Sequence, residues 1–473
     1  MGINKLWKML EPVAQRKSLL EMSVQEGVVS RRHGTGVLVI GIDASPWFYS
    51  TQAIFAGHSH AQAGQNPELR TLFFRLAMLS RCAISAVFVF DGANRPKTKR
   101  GRRVRTMPHW MTKAFKELIN GFGFHYHTAP GEAEAELAYM NRIHAVDAVL
   151  TVDSDAFLFG APQILRMNVK DAKEKDIVEV YTAGALAAQP NPNAFSPAAL
   201  LFLAVVCGGD YDTIGLKGCG PITASALASG PLAQQLFDAA HEYDENMLKI
   251  FLKEWHISLC NELEHDYSGR IGRKHPKVAA NVSDAFPDPK VLKLYSHPLT
   301  SESQPGSLAH SNQWFIPEVP DNSKLAATCG RLFGWGPTIA SRFVSNIWDG
   351  YFIRKFIQLS SFSPVEHTQN DVSALKSNIR FMTRAKSSKT FVNIRLTMWI
   401  NALAAEAATS VVRHAGTHPS SIEGLSTTIQ MLIWIPEPIL QAFSSQKVAK
   451  FYAEHPRVSF DGQLELYTPV LAA

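Results

Sequence analysis

Two patterns alternate along the first half of the chain. Near-continuous apolar runs, "GVLVIGID" ending at Asp43 and "SAVFVFD" ending at Asp91, read as strands buried on both faces. Between them "PELRTLFFRLAMLSRCA" spaces its apolar positions as a helix does. A basic segment follows, then a helix over "MTKAFKELINGF", a short strand "FHYHTA", a helix opened by "PGEAEAEL" and a strand "DAVLTVDSD". This alternation predicts an α/β fold: a mostly parallel central sheet with helices on both faces. From residue 197 the pattern turns helical, with "PAALLFLAVVCGGDYD", a Gly-rich turn "GLKGCGP" and "ITASALASG". Residues 297–323, rich in Pro, Ser and Asn, read as a long loop, and helix returns with "KLAATCGRLFGWG". After about residue 375 the chain becomes basic and strand-like ("KTFVNIRLTMWI", "TIQMLIWIP") before the helix "EPILQAFSSQKVAKFYAEH". These breaks divide the chain into 1–235, a helical remainder 236–370, and a separate small α+β module 375–473.

The strands end in acids. In an open parallel sheet ligands bind beyond the carboxyl ends of the strands, where Asp43, Asp91, Asp153 and Asp155 fall. Glu132 and Glu134 open a helix whose positive end tolerates negative charge. Side chains two apart point about 200° away from each other on a helix, so Glu134 needs a distorted first turn or a bridging water to share a site with Glu132. Asp210 closes the first helix of the later region. One Asp at a strand end is ordinarily a turn former or cap. Seven acids converging on one sheet edge repel one another unless cations neutralise them. Oxygen-only ligands suit hard ions, so Mg²⁺ is expected, with Mn²⁺ as a substitute. Two such ions about 3.5–4 Å apart activate water and stabilise the leaving oxygen of a phosphodiester.

Charge narrows the substrate. The net charge is +6, and "KTKRGRRVR" at 97–105 holds six Lys or Arg and no acid. Alone it reads as readily as a solvated loop or nuclear-localisation patch as it does as a binding surface; beside the acidic cluster it favours a polyanionic substrate. Five scattered cysteines without a CxxC read as reduced thiols of an intracellular protein. Neither a secretory signal nor a membrane-spanning run is recognisable.

The blocks "MGINKLWKML", "IDAS", "VFVFDG", "GEAEAE", "TVDSDAFLFG" and "GGDYDTIGLKGCGP", in this order over residues 1–235, resemble the flap endonuclease/XPG superfamily of structure-specific nucleases. The resemblance implies a PIN-like nuclease core with Asp43 and Asp91 in the first metal block, Glu132, Glu134, Asp153 and Asp155 in the central one, and Asp210 last. It also implies a helix–two-turn–helix from about 197, whose Gly218 and Gly220 approach a DNA phosphate with a monovalent cation, K⁺, bridging loop carbonyls to DNA. Lys217 reads either as a phosphate contact or as an ordinary exposed lysine. Glu136 has no counterpart in the pattern and is expected to face solvent. A Lys and an Arg that steer the scissile phosphate are implied among Lys97, Lys99 and Arg100. Gly2, Arg102 and Arg103 are further DNA-contact candidates.

Glu132 follows Asp91 by only 41 positions, too few for the longer helical arch through which flap endonucleases thread a free 5′ end. An open site suits a four-way junction. The tail resembles the chromodomain of GEN/Yen-type Holliday-junction resolvases. Its aromatics Phe381, Trp399 and Trp434 are expected in a core. Arg380, Arg384, Lys386, Lys389 and Arg395 read as a basic DNA-gripping face or as a solvated surface. The expectation is therefore a nuclear, Mg²⁺-dependent junction-resolving endonuclease, monomeric in solution and dimeric on junction DNA. A 5′-flap or repair-bubble nuclease is the alternative. A non-catalytic scaffold would need lost carboxylates, and an RNA-directed 5′ nuclease would not need the helix–two-turn–helix.

Overall fold

The computed structural model describes residues 2–3, 5–56, 64–104, 107–167, 176–189, 192–304, 308, 311–360, 369–387, 390–415, 429–455, 457–458 and 464–465. Its centre is a seven-stranded sheet of β1 (Gln15–Ser18), β2 (Leu38–Asp43), β3 (Ile84–Phe90), β6 (His125–Thr128), β7 (Ala148–Leu150), β8 (Gln163–Met167) and β9 (Ile177–Thr182); β4 (Thr98–Lys99) and β5 (Arg102–Arg103) form a separate hairpin. The spatial order is β1-β9-β8-β7-β2-β3-β6. Every pairing from β8 across to β6 is parallel, while β9 runs antiparallel to both β8 and β1. The mostly parallel sheet read from the apolar runs is therefore present. Strands β1, β8 and β9 were not foreseen, because an edge hairpin of mixed residues carries little periodicity.

Alternation along β2 and β3 explains why both strands are almost wholly apolar. Leu38, Ile40, Ile42, Ile84, Ala86, Phe88 and Phe90 pack into one buried layer, and Val39, Val87 and Val89 into the opposite one. A strand covered on both faces has no polar side to show. The chain runs from β2 outward to β3 and β6, then returns to β7 on the other side of β2. That reversal opens a crevice at the carboxyl ends of β2 and β7, the place where such sheets bind ligands.

Helices Asn322–Phe333 and Trp348–Gln358 pack against the helices Thr112–Gly121 and Pro67–Ser80. Arg354, only 1% exposed, donates to the carbonyls of Glu318 (2.5 Å), Ile84 (2.7 Å) and Gly123 (3.1 Å), and its guanidinium lies over the Phe124 ring. Arg354→Met is expected to lower unfolding free energy by about 3–5 kcal/mol, because three buried carbonyls lose their donor. Urea denaturation checks this; an unchanged midpoint would rule the staple out.

From 379 the chain forms an antiparallel sheet of β10 (Ile379–Ser387), β11 (Val392–Trp399) and β12 (Gln430–Pro436), with helices Asn401–Ala415 and Glu437–Glu454. Its apolar side chains are continuous with the buried layer that holds Ile40 and Phe88: Phe443 packs on Phe356 at 5.0 Å, and Asn322 Nδ2 donates to the Leu403 carbonyl at 2.9 Å. A three-stranded sheet has too little core of its own and borrows cover from the helices beside it. Trp399 and Trp434, expected in a core, are part-exposed and carry Arg380 and Arg395 over their rings. Trp434 sits on the outward face of β12, an edge strand, so alternation turns it to solvent. The side chains of Phe381, Arg384, Lys386 and Lys389 lie outside the described residues.

Candidate metal centre

The crevice collects the acids. Asp43 ends β2, Asp91 follows β3, Asp153 lies just beyond β7, and Asp155 begins the short helix Asp155–Leu158. Asp210 lies beyond the helix Pro197–Val206. Asp43, Asp153 and Asp210 are each 1% exposed, Asp155 4%, Glu134 7% and Glu132 8%. The spacing problem of Glu132 and Glu134 is solved by the helix start. Glu132 is not in the first turn but is the cap, with extended backbone (φ −88°, ψ 143°), and Glu134 is the second residue of helix Ala133–Arg142. Both carboxylates then reach Lys99, at 2.8 and 3.1 Å.

Backbone and hydroxyl donors hold these carboxylates in place. Asp43 accepts from Ser45 N and Thr151 Oγ1, and Asp91 accepts from Ser45 Oγ and from Ala133 N, which caps the Glu134 helix. Asp155 Oδ1 accepts from Ile3 N at 2.9 Å. Gly2, with φ +80°, lies so close that a Cβ would collide with Asp153 and Asp155, so only glycine fits. Tyr211 Oη donates to Glu132, and the Tyr211 and Tyr295 rings pack at 4.6 Å. Sequence reasoning passed over Tyr211, although it directly follows Asp210.

Electrostatics shows the cost of this assembly. Burial, then Asp91 and Asp153, pushes Asp43 up to about 8. Burial and neighbouring acids also raise Glu134, Asp153 and Asp155. Asp210 alone is lowered: burial would raise it, but Lys99 and Arg100 together outweigh burial.

Those two cations come from the β4–β5 hairpin. Lys99 Nζ meets Glu132, Glu134 and Asp210 within 3.1 Å, and Arg100 pairs with Asp210 at 2.7 Å. Lys97, by contrast, precedes the strand, is exposed, and forms no ion pair with the acids among the described residues. Of Lys97, Lys99 and Arg100, it is Lys99 and Arg100 that reach the acids. Arg102 and Arg103 face solvent on the same hairpin.

Glu136 corrects an expectation. Four residues beyond Glu132, it is fully buried rather than solvent-facing; it pairs with His127 at 2.9 Å and accepts from Ser301 N at 2.8 Å. The segment around Ser301, read as free loop, covers that face of the helix.

The donor set fits hard cations. Asp153 Oδ2 is buried without a hydrogen bond, and Lys99 and Arg100 provide positive charge where the acids converge. Among the described residues no three acids, His or Cys close around one point as they stand; Lys99 occupies the middle.

The Gly-rich turn lies beyond Asp210, between the helices Pro197–Val206 and Pro221–Ala228. Gly218 has φ +89°, and Gly220 precedes the helix Pro221–Ala228 with nothing within 4 Å of where its Cβ would be. Lys217 and Ile222 are exposed beside them.

Comparison with known proteins places these features. Residues 1–107 match the XPG N-terminal domain and residues 123–210 the XPG I-region. The mouse protein "Flap endonuclease GEN homolog 1" is 30% identical over 307 residues, covering 59% of this chain and 31% of its own length. The "DNA repair protein rad13" of Schizosaccharomyces pombe is 29% identical over 225 residues, 46% of this chain and 18% of its own. This chain therefore spans under a third of these curated relatives. Among solved structures, the eukaryotic junction-resolving enzyme GEN-1 binding caesium superposes with a TM-score of 0.74 at 25% identity, covering 94% of this chain and 98% of that one. The Holliday junction-resolving enzyme GEN1 with product DNA and Mg²⁺ gives 0.72 at 25% identity, over 94% and 98%.

Proposed function

We propose that this chain, whose residues 1–107 and 123–210 match the XPG N-terminal domain and I-region, is a divalent-metal-dependent endonuclease resolving four-way DNA junctions. The observation that carries this reading is the convergence of seven acids with Lys99 and Arg100 at the β2/β7 crevice. Asp43, Asp91, Glu132, Glu134, Asp153, Asp155 and Asp210 would hold two Mg²⁺ ions, whose chemistry when bound is water activation and stabilisation of the leaving oxygen. Lys99 and Arg100 orient the scissile phosphate. Tyr211 fixes the rotamer of Glu132. Mg²⁺ bound by the related junction resolvase supports this assignment.

Duplex DNA would run past the Gly218–Gly220 turn, with Lys217, Arg102 and Arg103 on phosphates, Gly2 beside the cut strand, and K⁺ at the turn. Caesium bound by a relative favours a monovalent-cation site. Between Asp91 and Glu132 the described residues hold a hairpin, one helix and one strand, with no helical arch. That openness favours a junction over a threaded flap, although 5′ flaps should also be cut. The protein acts in the nucleus, as a monomer that pairs on the junction; two nicks on opposed strands need two sites related by a twofold axis.

Matched four-way-junction, 5′-flap and single-stranded DNAs incubated with Mg²⁺ test this reading. Paired symmetric nicks in the junction, abolished by EDTA, are expected. Cleavage surviving EDTA, or restricted to the flap, would overturn it. The grip has its own test. Gly220→Val adds a side chain into open space, so folding is spared while phosphate approach is blocked. Affinity for any duplex-containing DNA should fall about tenfold, the worth of one charge-assisted hydrogen bond. Unchanged affinity by gel shift would remove the turn from the interface.

A further inference from the structure

The longest helix of the nuclease region, Glu245–His265, buries one stripe and leaves another bare. Leu248, Leu252, Trp255, Leu259 and Leu263 face the core. On the opposite side Met247 is 50% exposed, Ile250 59% and Ile257 60%. At about 100° per residue, Ile250 and Ile257 lie within about 20° of each other and diametrically across from the buried stripe. Scattered exposed apolar residues need no explanation, but here their order is self-complementary. Ile250 precedes Lys253 by three positions, and Ile257 follows Glu254 by three. Asn246 and Asn261 stand at matching distances further out. Reversing the helix about the midpoint of Lys253 and Glu254 superposes isoleucine on isoleucine, asparagine on asparagine, and lysine on glutamate.

We propose that this face is the contact between two copies of the chain, the helices crossing antiparallel about a twofold axis through Lys253 and Glu254. Ile250 of each copy packs on the partner's Ile257, and the two Lys253–Glu254 pairs lie at the axis between these contacts. The charges are available for it. Lys249 already pairs with Glu245 at 2.7 Å within the helix, whereas Lys253 and Glu254, both exposed, form no ion pair among the described residues. An isologous interface needs this pattern, in which each charge meets its opposite on the partner. The patch is small. About half a dozen side chains per copy fall short of the roughly 20–30 residues a side of a standard stable interface. Such a contact dissociates in free solution and is populated when junction DNA holds two copies together. The inference rests on the reading that two copies pair on a four-way junction, and it names the surface that pairs them.

Charge reversal tests it. Lys253→Glu places two carboxylates opposite Glu254 of the partner on both sides of the axis. Two-copy occupancy of a four-way junction, measured by mass photometry, should need about tenfold more protein, and coupled nicking of a cruciform plasmid should give way to single nicks. The double variant Lys253→Glu with Glu254→Lys restores complementarity and should recover both. Ile257→Glu should mimic the single reversal, and cleavage of a 5′ flap should be unaffected in all three. Wild-type pairing that persists in Lys253→Glu and Ile257→Glu would overturn this surface while leaving junction pairing intact. Failure of the double variant to rescue would overturn the antiparallel register. A wild-type protein that never pairs on the junction would overturn both the surface and the reading beneath it.

Discussion

Asp155→Asn is expected to reduce junction cleavage at saturating Mg²⁺ by at least about 10²–10³-fold, the scale of losing one electrostatic contact with the transition state. Binding of the same junction should be unchanged. The reason lies in what the side chain touches. Asp155 is buried, its carboxyl held well above the usual range by burial and then by Asp153 and Asp210. Asparagine keeps an oxygen where Oδ1 accepts from Ile3 N, so the N-terminal segment stays anchored. It removes one negative charge from a site that repels itself. The variant should therefore melt at a higher temperature than wild type in EDTA and gain less from added Mg²⁺. Single-turnover cleavage, gel shift and paired melts measure these effects. A variant that cuts at the wild-type rate, or that no longer binds DNA, would contradict the assignment.

The second large effect separates two lysines that look alike in the chain. Lys99→Met should lower the cleavage rate about 10²–10³-fold, while Lys97→Met should leave it nearly unchanged. Lys99 is the cation nearest three buried acids, Glu132, Glu134 and Asp210, and their combined pull outweighs burial and raises its ammonium well above the ordinary range. Its removal leaves those carboxylates facing one another. Without metal, the Met variant should lose about 3–5 kcal/mol of stability, as when one partner of a buried ion pair is deleted. Mg²⁺ should return much of that, giving a larger metal-induced rise in melting temperature than wild type shows. If Lys97→Met proved the more damaging of the two, the hairpin register would have to differ by two residues.

Much of this architecture is written in local patterns. An apolar run such as "AVFVF" can be satisfied only between two covering layers, and that alone predicts a parallel sheet. Acids at the ends of such strands can only gather at one edge, so Asp43, Asp91, Asp153 and Asp155 were legible as a cluster before any coordinate. Other features depend on partners distant in the chain. Glu136 lies on the same helix as Glu134 with the same local composition around it, yet Ser301, 165 positions away, decides that it is buried. Trp434 has the residue type of a core aromatic, but its strand is an edge and its parity points outward. Arg354 shows nothing in its own segment of the three carbonyls it joins.

The sequence by itself therefore determined the parallel core of the sheet and the gathering of acids at its edge, because strand burial and charge repulsion act on residue types and their order. Only the tertiary structure decided which basic residue enters the acid cluster, how Glu132 and Glu134 share one site, and how the C-terminal sheet joins the buried layer beneath β2 and β3. Those outcomes turn on a two-residue hairpin, a helix cap and the cover for a small apolar face. Each is set by which side of an element a neighbour occupies, a quantity that appears only when the chain closes on itself.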